Sequence, residues 1–271
     1  MSTPRVVLWL LLSSAAVSCA SGDPTDPRGQ RQWGVDSIRA EDLERHIQTL
    51  SSDEYEGRLP GTVGEKLTVR YLVDQFHGMG LTPVGGAEGY VQSVPLVGIT
   101  ADPSMKLVAR SGNRELSLDY GNQFMAWTKQ VVTDIEVQDS PLVFVGYGAV
   151  ATEFGWDDFK GIDVRDKTLI MLVNDPQVKD SKNPSQLDPK VFGGKAMTYY
   201  GRWTYKFEMA AQKGARACFV IHEPVPAGYP WAVVEGSWSG EQFDLVSPDQ
   251  NRSRAAVEGW LQYESAKQLF Q

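Results

Sequence analysis

The side chains that most often hold metal ions are sparse in this sequence. The chain contains three histidines and two cysteines among its 271 residues. No HExxH pattern surrounds His46 or His77, so neither has the second histidine, four residues away on one helical face, that this zinc motif requires. A lone histidine beside an apolar stripe, such as His46, is more often a surface or packing residue than a ligand. These two histidines therefore carry no recognisable metal motif.

A second set of candidates is a run of aromatic and basic side chains at residues 199–203. A guanidinium binds a carboxylate through two parallel hydrogen bonds, so Arg202 is the best candidate for contact with a carboxylate-bearing ligand. Tyr200 is the second candidate. The alternative is that the aromatic side chains of this run cover the core, because aromatic residues contribute much of the area that cores bury. We favour the alternative for the aromatic residues and keep Arg202 and Tyr200 as candidates.

The N-terminal stretch predicts export. A single early positive charge, Arg5, precedes an apolar run over 6–12 and then small residues, which is the order found in signal peptides. Residues 16–19, Ala-Val-Ser-Cys, are similar to a bacterial lipobox, in which Cys19 becomes the lipidated first residue. Ordinary cleavage after Ala20 is the alternative. We therefore predict a signal peptide over 1–20 and a protein that is periplasmic or anchored to the outer membrane, or secreted.

The clearest pair of structural elements is a helix followed by a buried strand. Trp203, Phe207 and Gly214 recur at helical spacing on one face, while Lys206 falls elsewhere on the circumference. Residues 217–221 are five apolar residues without alternation, which predicts a strand covered on both faces. A helix that leads into a buried strand is typical of α/β proteins, so the sequence predicts an α/β fold.

Two helices and a loop are predicted before this pair. Apolar residues at helical spacing predict a helix over 37–50 and another over 64–76. The stretch 52–65, SDEYEGRLPGTVGE, has the proline and glycine content of a loop, in which we expect Arg58 to pair with a neighbouring acidic residue rather than with a ligand. Residues 21–33 have little apolar content and predict a tether without regular structure.

The remaining sequence predicts a β-rich unit. Short β-prone runs separated by turn residues lie at 90–97, 105–108, 115–118, 131–137, 141–145 and 168–173. Residues 179–190 predict a surface loop. Residues 254–270 have the apolar spacing of an amphipathic helix.

Composition and charge exclude several classes of protein. Hydrophobic residues make up 42% of the chain, which is enough to bury a core and excludes a disordered protein. The net charge of -8, without any basic stripe, excludes a nucleic-acid partner. Two cysteines exclude a disulfide framework.

The loop motif and the elements after it resemble a known family of hydrolases. EYEGRLPGTVGE, followed by a helix ending in GMGL and the stretch YVQSVPLV, resembles the start of the catalytic domain of metallopeptidase family 28, the leucyl-aminopeptidase and glutamate-carboxypeptidase type. Residues 146–176 and 192–215 resemble the protease-associated domain that many members insert after the first strand. The resemblance implies the start of a zinc-exopeptidase α/β domain over 34–100, a β-sandwich-like protease-associated domain with flanking helices over 101–263, and the start of a return to the catalytic half over 264–271.

The resemblance also implies an activity. Family members hydrolyse peptide bonds at chain ends with two zinc ions, which lower the pKa of a bridging water and polarise the carbonyl group. In the family the zinc ligands follow the insert and begin with a His-x-Asp arrangement, whereas His222 is followed by Glu223 and Pro224. We therefore expect no catalytic and no metal-binding residue in this chain, and we expect the two zinc ions only in a complete enzyme.

Two hypotheses remain open at this point. In the first, the chain is the N-terminal part of an exported aminopeptidase-like enzyme that acts on peptides, with Arg202 and Tyr200 beside the substrate pocket and a lipid on Cys19 that contacts the membrane. In the second, it is a non-catalytic lipoprotein that uses the protease-associated domain as a binding module. Without later strands to pair with, the strand over 90–97 should lack partners, and the first hundred residues should be poorly stabilised.

Overall fold

The computed structural model describes residues 27–84 and 89–271, with side chains described from residue 32 onward. The chain divides into two compact units, Met1–Ser93 and Val94–Gln271. Cys19 and the rest of the predicted signal peptide lie outside the described residues. Within the described ranges, no helix combines the length and the apolar composition needed to cross a membrane.

The first unit is helical. Its helices, in chain order, are α1 (Pro27–Asp36), α2 (Ala40–Leu50), a short 3-10 helix (Asp53–Arg58) and α3 (Val63–Gly78). Helices α2 and α3 confirm the two predicted helices. Helix α1 covers part of the segment for which we predicted no regular structure, so that prediction was wrong for residues 27–33. Pro27 opens α1, and a proline in the first turn removes no helical hydrogen bond.

The first unit buries little apolar surface. Of its described hydrophobic side chains only Tyr55 is buried, while Ile38 and Ile47 remain 68% and 64% exposed. Hydrophobic burial is the main favourable term in folding, so a unit with so little of it has a small stabilising contribution of its own. The low stability of the first hundred residues stays a prediction.

The second unit is built on a mixed β-sheet. Its strands, in chain order, are β1 (Leu96–Thr100), β2 (Lys106–Ser111), β3 (Arg114–Asp119), β4 (Phe124–Trp127), β5 (Leu142–Phe144), β6 (Val150–Ala151), β7 (Trp156–Asp157), β8 (Thr168–Leu172), β9 (Ala217–His222), β10 (Glu241–Leu245) and β11 (Val257–Gln262). Strands β4, β11, β9, β8 and β5 form one sheet in that order, in which β4 is antiparallel and the others are parallel. The pairs β1–β10, β2–β3 and β6–β7 form separate antiparallel ribbons.

Helices cover one face of this sheet, and a hairpin with one helix covers the other. The helices of the unit are α4 (Trp203–Gln212), α5 (Pro224–Ala227), α6 (Trp231–Trp238) and α7 (Tyr263–Leu269). On β9, Cys218 and Val220 pack on the α4 side with Phe207, whereas Phe219 packs on the opposite side with Leu118 of the β2–β3 hairpin. The predicted helix and buried strand are confirmed as α4 and β9, and the α/β class is confirmed with them.

The segment predicted as a long C-terminal helix forms a strand followed by a short helix. Strand β11 lies inside the sheet, between β4 and β9, and only the seven residues of α7 are helical. Gly259 of β11 lets Met125 of β4 and the ring of Phe219 of β9 come close to it, because a Cβ at this position would lie 2.5 Å from the carbonyl oxygen of Met125 and 2.7 Å from the ring of Phe219. The helix prediction was wrong because the apolar residues of this segment fit helical spacing and a buried strand equally well.

The strand predicted over 90–97 is displaced and has a partner. Strand β1 begins at Leu96 and pairs with β10, with Leu96 opposite Leu245. Pro95 precedes it, and a proline has no N–H to donate to a ladder. The expectation of an unpaired strand was therefore wrong. Four of the other predicted runs correspond to β2, β3, β5 and β8, whereas residues 131–137 form no strand.

Candidate functional site

The candidate residues lie where the parallel strands end. Because β5, β8, β9 and β11 are parallel, their carboxyl ends meet at one edge of the sheet. Helix α4 leads back to the start of β9, so its first turn lies at that same edge. Tyr147 follows β5, Asn174 and Asp175 follow β8, and residues 199–202 come directly before α4. Residues 199–202, Tyr-Tyr-Gly-Arg, are called the 199–202 segment below.

Lys206 is completely buried beneath this edge. It is 0% exposed, and its Nζ donates hydrogen bonds to the carbonyl oxygens of Tyr147 at 2.6 Å and Asn174 at 3.1 Å. Burial lowers the pKa of the Lys206 amine to about 8, an effect partly offset by the negative charges of Asp175 and Asp158. The amine therefore ties together the two chain segments that leave β5 and β8.

Asp175 holds the chain that leads into the 199–202 segment. It is 1% exposed, and its carboxylate accepts hydrogen bonds from the N–H of Thr198 at 2.7 Å and from the hydroxyl of Thr198 at 2.6 Å. The N–H of Asn174 donates to the carbonyl oxygen of Gly201 at 2.9 Å. Only glycine fits there, because a Cβ on Gly201 would lie 3.0 Å from the backbone nitrogen of Asp175 and 2.7 Å from Met197 Cγ.

The two tyrosines of the segment use their hydroxyl groups locally. Tyr199 donates to Glu208 Oε2 at 2.7 Å, and Tyr200 donates to Glu153 Oε1 at 2.7 Å. The hydrogen bond to Glu153 raises the pKa of Tyr200 to about 12. The Tyr200 ring also packs edge-on against Phe192, with 5.6 Å between ring centres. Tyr200 is thus held in place from two sides, and its contact with a ligand stays a prediction.

Arg202 is the exposed cation of the segment. It is the N-cap residue of α4, but its side chain makes no capping hydrogen bond. Its guanidinium takes part in none of the salt bridges found among the described residues. The structure thus brings Arg202 and Tyr200 together on one fixed segment and leaves the Arg202 side chain exposed.

Sequence reasoning missed Lys206 and Asp175. Helical spacing put Lys206 away from the apolar face of α4, where a lysine is normally exposed. It is buried because α4 is covered on more than one side, so its sequence neighbours Tyr205 and Phe207 are buried as well. A lysine between two aromatic residues on a core helix was the available signal for Lys206. For Asp175 the signal was its position just after a buried parallel strand.

Two of the histidines, His46 and His222, have separate surroundings. His46 is partly buried, and its Nδ1 lies 2.6 Å from the hydroxyl of Tyr71. His222 is 1% exposed and lies among the rings of Tyr229 and Trp231, and burial lowers its pKa. Over residues 27–84 and 89–271, no group of three His, Cys, Asp or Glu side chains could hold a metal ion. The described residues therefore do not fit a zinc pair.

The motif loop in the first unit is held by specific contacts. Gly61 N–H donates to Glu65 Oε2 at 2.6 Å, and Glu65 N–H donates to the Thr62 hydroxyl at 3.4 Å, which together cap the start of α3. Gly64 packs directly against the backbone of Tyr55, since a Cβ at Gly64 would lie 1.9 Å from the Tyr55 carbonyl oxygen. Both glycines and the glutamate of this part of the motif are therefore used structurally.

The predicted local ion pair of Arg58 is not formed. The structure shows no salt bridge between Arg58 and Asp53, Glu54 or Glu56, all of which are described residues. Glu56 and Arg58 have φ angles of 48° and 64°, both in the left-handed region. The chain reverses there, so the side chains do not have the regular helical spacing that such a pair needs.

Comparison with known proteins found a similarity to a solved structure. No protein-family model matches the chain. No curated protein matches it either. Among solved structures, it is similar to the aminopeptidase from Aneurinibacillus sp. strain AM-1, with 19% sequence identity and a TM-score of 0.38 over 86% of this chain and 40% of that chain. This chain therefore spans less than half the length of that aminopeptidase. The α/β class is assigned from the sheet itself.

Proposed function

We propose that this chain is the N-terminal, non-catalytic part of an exported, zinc-dependent, aminopeptidase-like metallopeptidase. The two zinc ions and the groups that hold them would belong to sequence outside this chain, and the complete enzyme would remove residues from the ends of peptides. The second unit, as a protease-associated domain, would form a wall of the substrate pocket through Arg202 and Tyr200. A lipid on Cys19 would anchor the enzyme to a membrane, either facing the periplasm or at the outer membrane.

The motif loop supports this proposal most directly. Its sequence resembles the start of the family's catalytic domain, and its glycine and glutamate residues make specific contacts in the fold. Gly64 has no room for a Cβ beside Tyr55, and Glu65 with Thr62 caps α3. Glycines and an acidic residue that are fixed by contacts support the resemblance more strongly than a composition that is merely rich in turn residues.

The position of Arg202 supports the second part of the proposal. Ligands of parallel sheets commonly bind outside the carboxyl ends of the strands, which is where the 199–202 segment lies. Peptides carry a terminal carboxylate, and a guanidinium is the side chain best suited to bind one through two hydrogen bonds. Arg202 is exposed at this edge and forms no salt bridge among the described residues.

Activity of the native protein tests the proposal. We would isolate the protein from its source with an antibody against the second unit and measure release of p-nitroaniline from amino-acid p-nitroanilides. We expect turnover that is lost with a chelator and restored by added zinc. Absence of chelator-sensitive turnover from a folded native protein would overturn the proposal and favour the alternative, a non-catalytic lipoprotein that uses the second unit for binding.

A glycine pair provides the matched control. Gly64→Ala should reduce the activity, because its Cβ collides with the backbone of Tyr55 and must displace the motif loop. Gly78→Ala, at the end of the same helix, should leave activity unchanged, because nothing lies within 4 Å of its Cβ. Equal activity of both variants would remove the motif loop from the support for the proposal.

A further inference from the structure

We propose that Lys206 and Asp175 are positioning residues that hold the 199–202 segment in one conformation and so present the Arg202 guanidinium to a carboxylate of a peptide. The inference rests on the proposed function for the identity of the ligand. The order of the segment, however, can be measured without any ligand.

The 199–202 segment is bound at both ends to the chain leaving β8. At its start, the carboxylate of Asp175 accepts both donors of Thr198. Near its end, the carbonyl oxygen of Gly201 accepts the N–H of Asn174 at 2.9 Å. The carbonyl oxygen of Asn174 in turn accepts from Lys206 Nζ at 3.1 Å. Lys206 therefore fixes the residue to which the segment is bound.

Burying the amine of Lys206 is costly. An amine without exposure to solvent loses its hydration, and this loss is the reason its pKa is lowered to about 8. An apolar side chain of similar length would fill the same space without that cost. What the amine adds is two hydrogen bonds, to the carbonyl groups of Tyr147 and Asn174, that an apolar side chain cannot make. Its specific contribution is therefore the geometry of this edge.

The acidic side chains near the segment already have hydrogen-bond partners. Glu153 and Glu208 each accept a tyrosine hydroxyl of the segment, from Tyr200 and Tyr199. Asp175 accepts two hydrogen bonds from Thr198 and is 1% exposed. Each of these carboxylates has a partner other than the Arg202 guanidinium. A ligand carboxylate would therefore contact an exposed cation on a segment that is already ordered. This order lowers the entropic cost of binding.

The experiment measures hydrogen exchange and ligand binding on the full chain. We would compare Lys206→Met, Asp175→Asn and the milder Thr198→Val with wild type, and use Lys195→Met as the matched control because Lys195 is exposed on the same loop. Exchange of the amides of residues 201–202 reports on the segment, and exchange of β9 amides reports on the fold. Binding is followed by NMR at the Arg202 side chain, with tri-alanine and tri-alanine amide as probes.

We expect the amides of the segment to exchange about tenfold faster in Lys206→Met and Asp175→Asn, with β9 protected as in wild type. Wild type should bind tri-alanine more tightly than its amide, and the two variants should bind tri-alanine about 3- to 10-fold more weakly. Lys195→Met should match wild type in both measurements.

Three results would overturn the inference. If all three variants keep the segment as protected as wild type, Lys206 and Asp175 do not position it. If the segment loosens but binding of tri-alanine is unchanged, its order is irrelevant to the ligand. If wild type does not distinguish tri-alanine from its amide, Arg202 is not a carboxylate contact. Failure of the proposed function is seen separately, as absence of chelator-sensitive turnover in the native protein.

Discussion

The buried amine of Lys206 should make the stability of the second unit rise with pH. Its pKa is about 8 in the folded protein, whereas an unperturbed lysine has a pKa of 10.5. Between these two values the unfolded chain holds a proton on Lys206 that the folded protein has released. Stability therefore increases as the pH rises through this window, and it falls as the pH drops towards the folded pKa.

The size of the effect follows from the shift in pKa. One unit corresponds to about 1.4 kcal/mol, so the Lys206 contribution to the free energy of unfolding should increase by about 2 kcal/mol between roughly pH 7 and pH 9.5. The upper limit avoids ionisation of the neighbouring tyrosines. Burial raises the pKa of both Tyr147 and Tyr205, so these rings remain neutral in the folded protein over the window.

Urea unfolding followed by tryptophan fluorescence measures this contribution. Wild type and Lys206→Met would be compared at several pH values, because other titrating groups then contribute equally to both proteins. Between pH 7 and pH 9.5 wild type should gain about 2 kcal/mol of stability relative to the variant, because the variant has no amine at this position to titrate. Lys195→Met should follow wild type. A gap that stays constant with pH would refute the reasoning, because it would mean that the amine keeps its ordinary pKa.

Two further predictions concern strand β11. Arg254→Met should destabilise the second unit by about 3 kcal/mol, because it leaves the 0% exposed carboxylate of Glu258 without its partner at 2.7 Å. Adding Glu258→Gln to this variant should recover part of the lost stability. If thermal unfolding shows no recovery, the pairing is contradicted. Gly259→Ala should destabilise by about 1–3 kcal/mol, because its Cβ would lie 2.5 Å from the carbonyl oxygen of Met125. Gly236→Ala, in a helix with nothing within 4 Å of the new Cβ, should instead stabilise by about 0.5–1 kcal/mol; a loss at Gly236 equal to that at Gly259 would mean that strand spacing is not the cause.

Sequence patterns predicted the elements that are uniform along their length. The strand after α4 was recognised because residues 217–221 are all apolar, as a strand covered on both faces requires. The helix before it was recognised from the spacing of Trp203 and Phe207. Both signals are local, so they can be recognised without knowledge of the rest of the fold. The α/β class follows from this one helix and strand.

Elements that depend on distant partners were predicted less well. Strand β1 pairs with β10, about 145 residues later in the chain, and nothing near Leu96 in the sequence indicates that partner. Strand β11 was taken for a helix because its position between β4 and β9, rather than its own pattern, makes it a strand. The glycine at position 259 was the local sign of close strand packing.

The candidate site was predicted in part. Arg202 and Tyr200 were identified from their chemical types, and the structure gives both a defined setting on one segment. The residues beneath them were not identified, because Lys206 and Asp175 belong to types that are usually exposed and matter here through burial. Their hydrogen bonds join parts of the chain that are 32 and 23 residues apart, which no spacing rule connects.

Native mass spectrometry of the protein isolated from its source is the most direct test of whether this chain is part of a zinc peptidase. It measures, on the same ions, the mass of the polypeptide that contains this chain and the number of zinc ions bound to it. We predict a species heavier than this chain that carries two zinc ions and loses them to a chelator. A species no heavier than this chain, and without zinc, would contradict the proposed function.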